Sequence, residues 1–294
     1  MNTPLVAVLV IHYEDPVLTA RCIESLQRLT YLHCLIIVVH NGGLEPALVE
    51  RFPGIRHEPV RSNDGYAAAV NHGVGIAAAA GAKYSYALNN DTELDPGALE
   101  PLVAACEADD TIGVAGGMHY HADRRDVVQN SGSYLNWFTG RVSTIGEGQH
   151  DRGQFAPVAE PDFICGAGFF FRTALFERLG PLDERYFLYC EESDWCFRVQ
   201  RAGLRIVRVA ASKLYHAGGA TVSRTPGTYQ YFATRNKLWL VRRWAPRRAM
   251  LVYIASHVAF SYPKMLIGRL VDGDVHGFRS TLRGIVDGLR MRAS

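Results

Sequence analysis

The sequence predicts an α/β protein organised on a parallel sheet, and three observations carry that prediction. Leu5 to Ile11 and Cys34 to Val39 are apolar runs without alternation, the pattern of strands buried on both faces. Segments with helical spacing separate such runs, and strand, helix, strand, helix in this order implies parallel strands joined by right-handed crossovers. Each run also stops abruptly in polar residues: His12-Tyr13-Glu14-Asp15, His40-Asn41-Gly42-Gly43, and Asn89-Asn90-Asp91 after the strand-like Tyr84 to Leu88. Ligands of open α/β sheets bind beyond the carboxyl ends of the strands, so these residues are expected to face a cleft.

Pro16 opens the first helix, with Leu18, Cys22, Ile23, Leu26 and Leu29 at helical spacing. A helix over Glu45 to Arg51 and a short strand over Ile55 to Glu58 follow the second strand. Arg61 to Gly73 is a turn running into an Ala-rich helix that continues to Ala80. Its small residues let a helix pack closely and bring backbone N–H groups near a ligand; they read equally as an N-cap followed by good helix formers. A helix from Pro96 to Glu107 and a strand from Ile112 to Met118 come next. His119 to Pro161, rich in Gly, Asp, Arg and Ser, is expected to be an irregular or hairpin insertion over the cleft, in which Tyr134, Trp137 and Phe138 anchor the loop or stack on a sugar. Gly166 to Arg172 reads as a strand, Thr173 to Leu179 as a short helix, and Arg205 to Val209 as a last strand.

Two stretches carry chemistry. Asn89, Asn90 and Asp91 offer hard oxygen ligands suited to Mg²⁺ or Mn²⁺ carried by a phosphate, and they also fit a turn capping the next helix. Glu191-Glu192-Ser193-Asp194, flanked by aromatics, begins a helix that stops at Gly203. The helix dipole is expected to hold Glu192 and Asp194 ionised, as a proton-accepting base requires; dipole-complementing acids would look the same. Downstream, His216 follows a short apolar run; a lone histidine is more often structural than a ligand, yet beside Asp91 and a diphosphate a neutral imidazole suits Mn²⁺ as a further ligand.

Composition narrows the classes. The chain has 294 residues and 48% hydrophobic content, which excludes disorder, and its six cysteines form no C-x-x-C pair, which argues against zinc or redox motifs. The start lacks the basic segment of a signal peptide, so a cytosolic protein is expected. The net charge of +2 conceals an asymmetry: from Arg235 onward twelve Lys/Arg stand against three acids, a local +9. An anionic surface is the expected partner, and nucleic acid is disfavoured because the basic residues alternate with large aliphatic ones.

In combination these motifs resemble glycosyltransferase family 2, closest to bacterial rhamnosyltransferases and their galactofuranosyltransferase relatives. The resemblance rests on I-I-V-V-x-N-G at Ile36 to Gly42, N-x-G-Y-A-x-x-x-N-x-G at Asn63 to Gly73 and L-N-N-D-T at Leu88 to Thr92. It rests equally on G-x-L-D-E-R-x-F-x-Y-x-E-E-x-D-x-C-x-R at Gly180 to Arg198, Y-H-x-G-G at Tyr215 to Gly219 and T-R-N at Thr234 to Asn236. It covers nearly the whole chain. It implies a GT-A fold, a Rossmann-like nucleotide-binding sheet with an acceptor-binding half, and inverting transfer from a nucleotide diphosphate sugar to an acceptor hydroxyl. The implied layout is a GT-A domain over 1–225, with 1–100 as the nucleotide-sugar half and 101–225 as the acceptor half, and basic amphipathic helices over 226–294.

By position the resemblance makes Asp91 the surviving aspartate of the metal motif, His216 the additional metal ligand and Glu192 the base, with Asp194 as its rival or an acceptor-orienting group. It assigns His12, Tyr13, Glu14, His40, Asn41, Asn63, Gly65, Asn71, Asn89, Asn90 and Arg235 to donor binding. His40 stands where the family carries an aspartate that accepts a hydrogen bond from the pyrimidine; a neutral imidazole nitrogen accepts one less strongly. Asn89 replaces the first aspartate of D-x-D.

The expectation is an Mg²⁺- or Mn²⁺-dependent transferase moving L-rhamnose from a dTDP donor to a lipid-linked or polysaccharide acceptor in cell-surface glycan synthesis, peripheral on the inner face of the cytoplasmic membrane. The alternatives are transfer of another sugar, such as galactofuranose from UDP, or a non-catalytic nucleotide-sugar-binding scaffold. Met250 to Tyr262 is apolar but below the roughly 20 residues of a membrane span, with Pro263-Lys264 expected to end it. An in-plane helix on anionic lipid is expected, with a helical core or a homo-oligomer interface as the other readings.

Overall fold

The structure, a computed structural model, describes residues 3–156, 158–218 and 226–291. Gly219, Arg292 and the expected domain boundary at 225 lie outside the described residues. The described chain runs β1 (Val6–His12), α1 (Pro16–Leu26), β2 (Cys34–Asn41), α2 (Pro46–Arg51), β3 (Arg56–Val60), α3 (Tyr66–Ala79), β4 (Tyr84–Asn89), β5 (Thr92–Leu94), α4 (Leu99–Ala108), β6 (Ile112–His121), β7 (Val128–Asn130), β8 (Ser133–Leu135) and β9 (Val142–Thr144). It continues with β10 (Gly168–Arg172), α5 (Leu175–Leu179), α6 (Glu191–Arg201), β11 (Arg205–His216), α7 (Thr228–Trp244), α8 (Arg247–Ser256), α9 (Tyr262–Val271) and α10 (Val275–Arg290).

Among the described residues the main sheet has the order β3-β2-β1-β4-β10-β6-β11-β5, with β7 on β6. The expected parallel pairing holds for β3, β2, β1 and β4. It does not extend across the sheet: β10 enters antiparallel between β4 and β6, and β5 pairs antiparallel with β11. The expected last strand at 205–209 is the first half of β11, which continues past a bulge between Arg208 and Lys213 to His216. The extra residues of that bulge break the apolar pattern that marks a single strand.

β1 explains why its sequence is apolar at every position. Val6, Val8 and Val10 join one core with Cys22, Ile23 and Leu26 of α1 and Leu99, Leu102 and Val103 of α4. Ala7, Leu9 and Ile11 join a second core with Ala67, Val70 and Val74 of α3 and Trp195 and Val199 of α6. Successive side chains point to opposite faces, and helices cover both.

The chain forms two compact units, one within Met1–Tyr134, Thr144–Phe187 and Glu191–Gly218, the other within Leu135–Ser143, Leu188–Cys190 and Gly219–Ser294. The second unit has its own core of Leu238, Val241 and Tyr253, with Trp137, Ala245 and Ile254 against it, so Trp137 anchors its loop, whereas Phe138 is exposed. The expected stop at Pro263 does not occur. Arg247–Val271 is one continuous 25-residue helix, in which a π-helical stretch, His257–Ser261, precedes α9. A proline ring clashes with the carbonyl four residues earlier in a regular α-helix, and the wider π turn removes that clash. By length and composition alone this helix is long and apolar enough to cross a membrane.

Candidate active site

Register brings the carboxyl ends of the strands together. His12 lies opposite His40 on β2, and Ile11 opposite Asn89 on β4. Asp91 occupies the tight turn between β4 and β5, and β11 returns antiparallel to β5 so that His216 pairs with Thr92. Residues 125 positions apart are thereby set side by side, with Asp91 Oδ1 3.1 Å from His216 Nε2 and both side chains largely buried.

The tautomer of His216 follows from its other neighbour. Gln129 Oε1, 2.6 Å from His216 Nδ1, can only accept, and Gln129 Nε2 donates to the His216 carbonyl, which fixes the amide's orientation. Nδ1 therefore carries the proton. Nε2 is buried without a hydrogen-bond partner among the described residues and directs its lone pair at a carboxylate. A proton on Nε2 or a cation shared with Asp91 resolves that opposition, and one carboxylate oxygen with one imidazole nitrogen fits Mg²⁺ or Mn²⁺ whose remaining ligands come from phosphate and water. No cluster of three or more His, Cys, Asp or Glu suited to a metal occurs among the described residues. Gln129 is a residue that sequence reasoning missed, since a lone glutamine in a weakly periodic insertion carries no signal. Gln129→Ala is expected to weaken Mn²⁺ affinity by about 10–100-fold, measurable by titration of Mn²⁺ into the protein with nucleotide present.

Glu192 borders the same region. Its carboxyl carbon lies 3.6 Å from where a side chain on Gly166 would begin, while Ala167, next in the chain, accepts from the Asn89 amide at 3.4 Å. Burial pushes the Cys165 thiol up to about 12, and the charges of Glu192 and Asp91 add to that, so the 165–167 segment feels both acids. Tyr66 closes the other side, donating to the Gly166 carbonyl at 2.6 Å.

The expectation that the helix dipole keeps Glu192 strongly acidic is corrected. Burial raises its pKa to about 7, outweighing the backbone N–H groups of Gly166 and Ser193 that favour the anion. Glu191, buried beside it with Oε2 lacking a hydrogen-bond partner among the described residues, is raised well above the ordinary carboxylate range, first by burial and then by Glu192. Two carboxyl groups in one low-dielectric site oppose each other's ionisation, so the pair as a whole titrates above the ordinary carboxylate range. Asp194 is corrected as well: it is fully buried, paired with Arg198 at 3.1 Å and receiving the Tyr186 hydroxyl at 3.2 Å, so it fastens the start of α6 and is not open to an acceptor.

Several residues expected to bind a donor make hydrogen bonds that hold the scaffold. Asn90 is buried, and its amide donates to Thr19 Oγ1 at 3.0 Å and to the carbonyls of Tyr13 and Asp15 at 3.4 Å, tying β4 to the β1–α1 turn. His12 is buried with Nδ1 2.7 Å from Thr19 Oγ1. Asn71 brackets the Leu182 main chain from both ends of its amide and donates to Glu184 Oε1. Asn63 Oδ1 accepts from Asn41 and from the Gly65 amide, and Tyr66 N donates to the Phe187 carbonyl at 2.7 Å. Gly65 adopts φ +97°, and a side chain there would collide with the Phe187 backbone, so only glycine lets this turn close.

His40 does not offer the free acceptor expected of it. It is fully buried, the Glu45 amide donates to its Nδ1 at 3.1 Å, and its Nε2 therefore donates to His57 Nδ1 at 2.9 Å. His57 in turn donates its Nε2–H to the Phe52 carbonyl at 3.1 Å. Burial, then the neighbouring His12 and His57, lowers the His40 pKa to about 4, so this ring is neutral. Of the expected donor-binding side chains, Tyr13 and Asn89 are half-buried and Glu14 is exposed. Arg235 belongs to the helical unit, where its guanidinium lies over the Tyr231 and Phe232 rings. The neighbouring Asn236, buried, donates to the carbonyls of Leu188 and Tyr189 at 2.7 and 2.8 Å.

Comparison with known proteins bears on the family and the fold. The family described as Glycosyl transferase family 2 matches residues 7–180. Two curated proteins from strains of Mycobacterium tuberculosis, both named N-acetylglucosaminyl-diphospho-decaprenol L-rhamnosyltransferase, are 25% identical, covering 87% of this chain and 93% of their own. Among solved structures, GalNAc-T7 with UDP, GalNAc and Mn²⁺ superposes with a TM-score of 0.63 at 15% identity over 83% of this chain, which spans about half (49%) of that one. S. aureus TarS 1-349 gives 0.61 at 12% identity, covering 97% and 80% of the two chains. The mannosyltransferase PcManGT from Pyrobaculum calidifontis, with GDP-Man and Mn²⁺, gives 0.56 at 14% identity, covering 98% and 86%. At these identities the solved structures establish the shared fold.

Proposed function

The chain belongs to glycosyltransferase family 2 and has the GT-A fold, and from that premise we propose that it is a metal-dependent, inverting transferase that moves L-rhamnose from dTDP-rhamnose to a lipid-linked or polysaccharide acceptor at the inner face of the cytoplasmic membrane. The observation that carries the reading is the Asp91–His216 pair at the end of β4, where Asn89 donates to the Ala167 carbonyl next to Gly166, against which the Glu192 carboxyl packs. The rhamnosyl and lipid-linked parts are supported by the name of the mycobacterial relatives.

In this reading Asp91 Oδ1 and His216 Nε2 hold Mg²⁺ or Mn²⁺, with Gln129 fixing the imidazole. When bound, the cation supplies charge neutralisation for the departing diphosphate. Glu192 accepts the proton of the acceptor hydroxyl as that oxygen attacks the anomeric carbon from the face opposite the diphosphate. The bond to the diphosphate breaks with its electron pair, and the proton remains on Glu192.

The raised pKa of Glu192 predicts the pH profile. The base works only when deprotonated, so kcat/KM should climb through about pH 7, fall roughly tenfold per unit below it, and level off above. A rate constant across pH 5 to 8 would remove Glu192 from the proton transfer. For the substrate, radiolabelled dTDP-rhamnose and UDP-galactofuranose offered with bacterial lipid-linked acceptors separate the donors. Label entering the lipid fraction from dTDP-rhamnose alone is expected, and transfer from UDP-galactofuranose alone would replace the rhamnosyl reading.

A further inference from the structure

The helical unit carries an apolar surface that the catalytic chemistry does not use. Along Arg247–Val271, Ala249, Tyr253 and Tyr262 point inward, while Leu251, Val252, Val258, Phe260, Ile267, Leu270 and Val271 are exposed, Phe260 by 75% and Val271 by 81%. Phe260, Ile267 and Val271 follow one another at intervals of seven and four, so a stripe of the kind that usually faces a core here faces outward. α10 repeats the pattern, with Val275, Leu282, Val286 and Leu289 exposed and Gly277, Thr281, Gly284 and Gly288 turned inward. Gly284 and Gly288 meet the backbone of α7 at Tyr231 and Arg235, so α10 is fixed with its apolar edge outward. Exposed Arg247, Arg248, Lys264, Arg279, Arg283 and Arg290 flank these stripes.

We propose that this face is an in-plane membrane-binding surface that seats Phe260, Ile267 and Val271 in the acyl boundary of an anionic bilayer and its flanking Arg and Lys among the lipid phosphates. Charge selects the occupant. A second copy docking through the same face would oppose two surfaces that are both strongly basic, whereas an anionic bilayer complements them. A spanning helix is disfavoured despite the 25-residue length. Tyr253 is committed to Leu238, Val241 and Trp137, His257 stacks on Tyr253 at 3.8 Å, and Lys264 sits within the apolar stretch. One side of the helix thus belongs to its own unit and the other to lipid, the arrangement of an interfacial helix. The inference is independent of the donor sugar and of Glu192, and it places a long-chain lipid acceptor and the enzyme on the same surface.

The test is co-sedimentation of the full chain with phosphatidylcholine vesicles, with and without phosphatidylglycerol. Binding that requires phosphatidylglycerol and weakens with salt is expected, falling about tenfold or more in Phe260→Asp/Ile267→Asp/Val271→Asp and in Arg247→Glu/Arg248→Glu/Lys264→Glu. Calorimetric nucleotide binding, measured on the same variants, shows that they remain folded. Equal, salt-resistant binding to neutral and anionic vesicles would indicate a span and overturn the proposal. No vesicle binding, with a dimer in sedimentation velocity that the first triple variant dissociates, would assign the face to a second copy.

Discussion

Glu192→Gln is expected to lower the transfer rate by about 10²–10⁴-fold, the usual contribution of a positioned general base, with dTDP binding unchanged. The amide has the shape of the acid and still offers an oxygen to the Gly166 and Ser193 N–H groups, so the loop before α6 should keep its conformation; what it cannot do is take a proton. The residual rate should lose its dependence on pH near 7. Asp194→Asn gives the contrast. That carboxylate is fully buried against Arg198 and Tyr186, so its loss should appear as about 3–5 kcal/mol of stability in a urea melt, with the shape of the pH profile preserved. If Asp194→Asn abolished turnover in a fully stable protein while Glu192→Gln remained active, the two roles would have to be exchanged.

The second large effect is expected at the Asp91–His216 pair. Asp91→Ala and His216→Ala should each cost at least about 10²-fold in rate, because charge neutralisation of a leaving diphosphate is worth several kcal/mol. They should also reduce nucleotide affinity in Mn²⁺ to its metal-free value, which isothermal calorimetry reads without any acceptor. The two should differ in rescue. Raising Mn²⁺ should recover part of the His216→Ala activity, since a water can replace a neutral ligand, whereas Asp91→Ala also removes the charge. Nucleotide binding in Mn²⁺ that ignores both substitutions would leave the pair as a structural contact.

Much of this arrangement was legible in the residues. Polar residues at the ends of Leu5 to Ile11, Cys34 to Val39 and Tyr84 to Leu88 marked the edge of the sheet where the candidate site lies, because ligands of open α/β sheets bind beyond the carboxyl ends of the strands. The antiparallel entry of β10 was not legible, since Gly166 to Arg172 has the same apolar content in either direction. Nor was the division of labour within Asn89-Asn90-Asp91, where successive side chains in a tight turn diverge: Asn90 is turned into the scaffold and Asp91 toward His216. Gln129 meets His216 from 87 residues away, and the His40–His57 link depends on the register of β2 against β3, neither of which a local pattern encodes. The sign of the Glu192 shift was missed because the helix start was visible in the sequence and the burial around it was not.

A calorimetric titration of dTDP into the wild-type protein, with and without Mn²⁺, tests most directly the central claim that Asp91 and His216 form the seat of a diphosphate-bound cation, and UDP and GDP serve as competitors. The account predicts binding that is strong in Mn²⁺, weak without it and tighter for dTDP than for the other two. Binding of equal strength with and without the ion would contradict it.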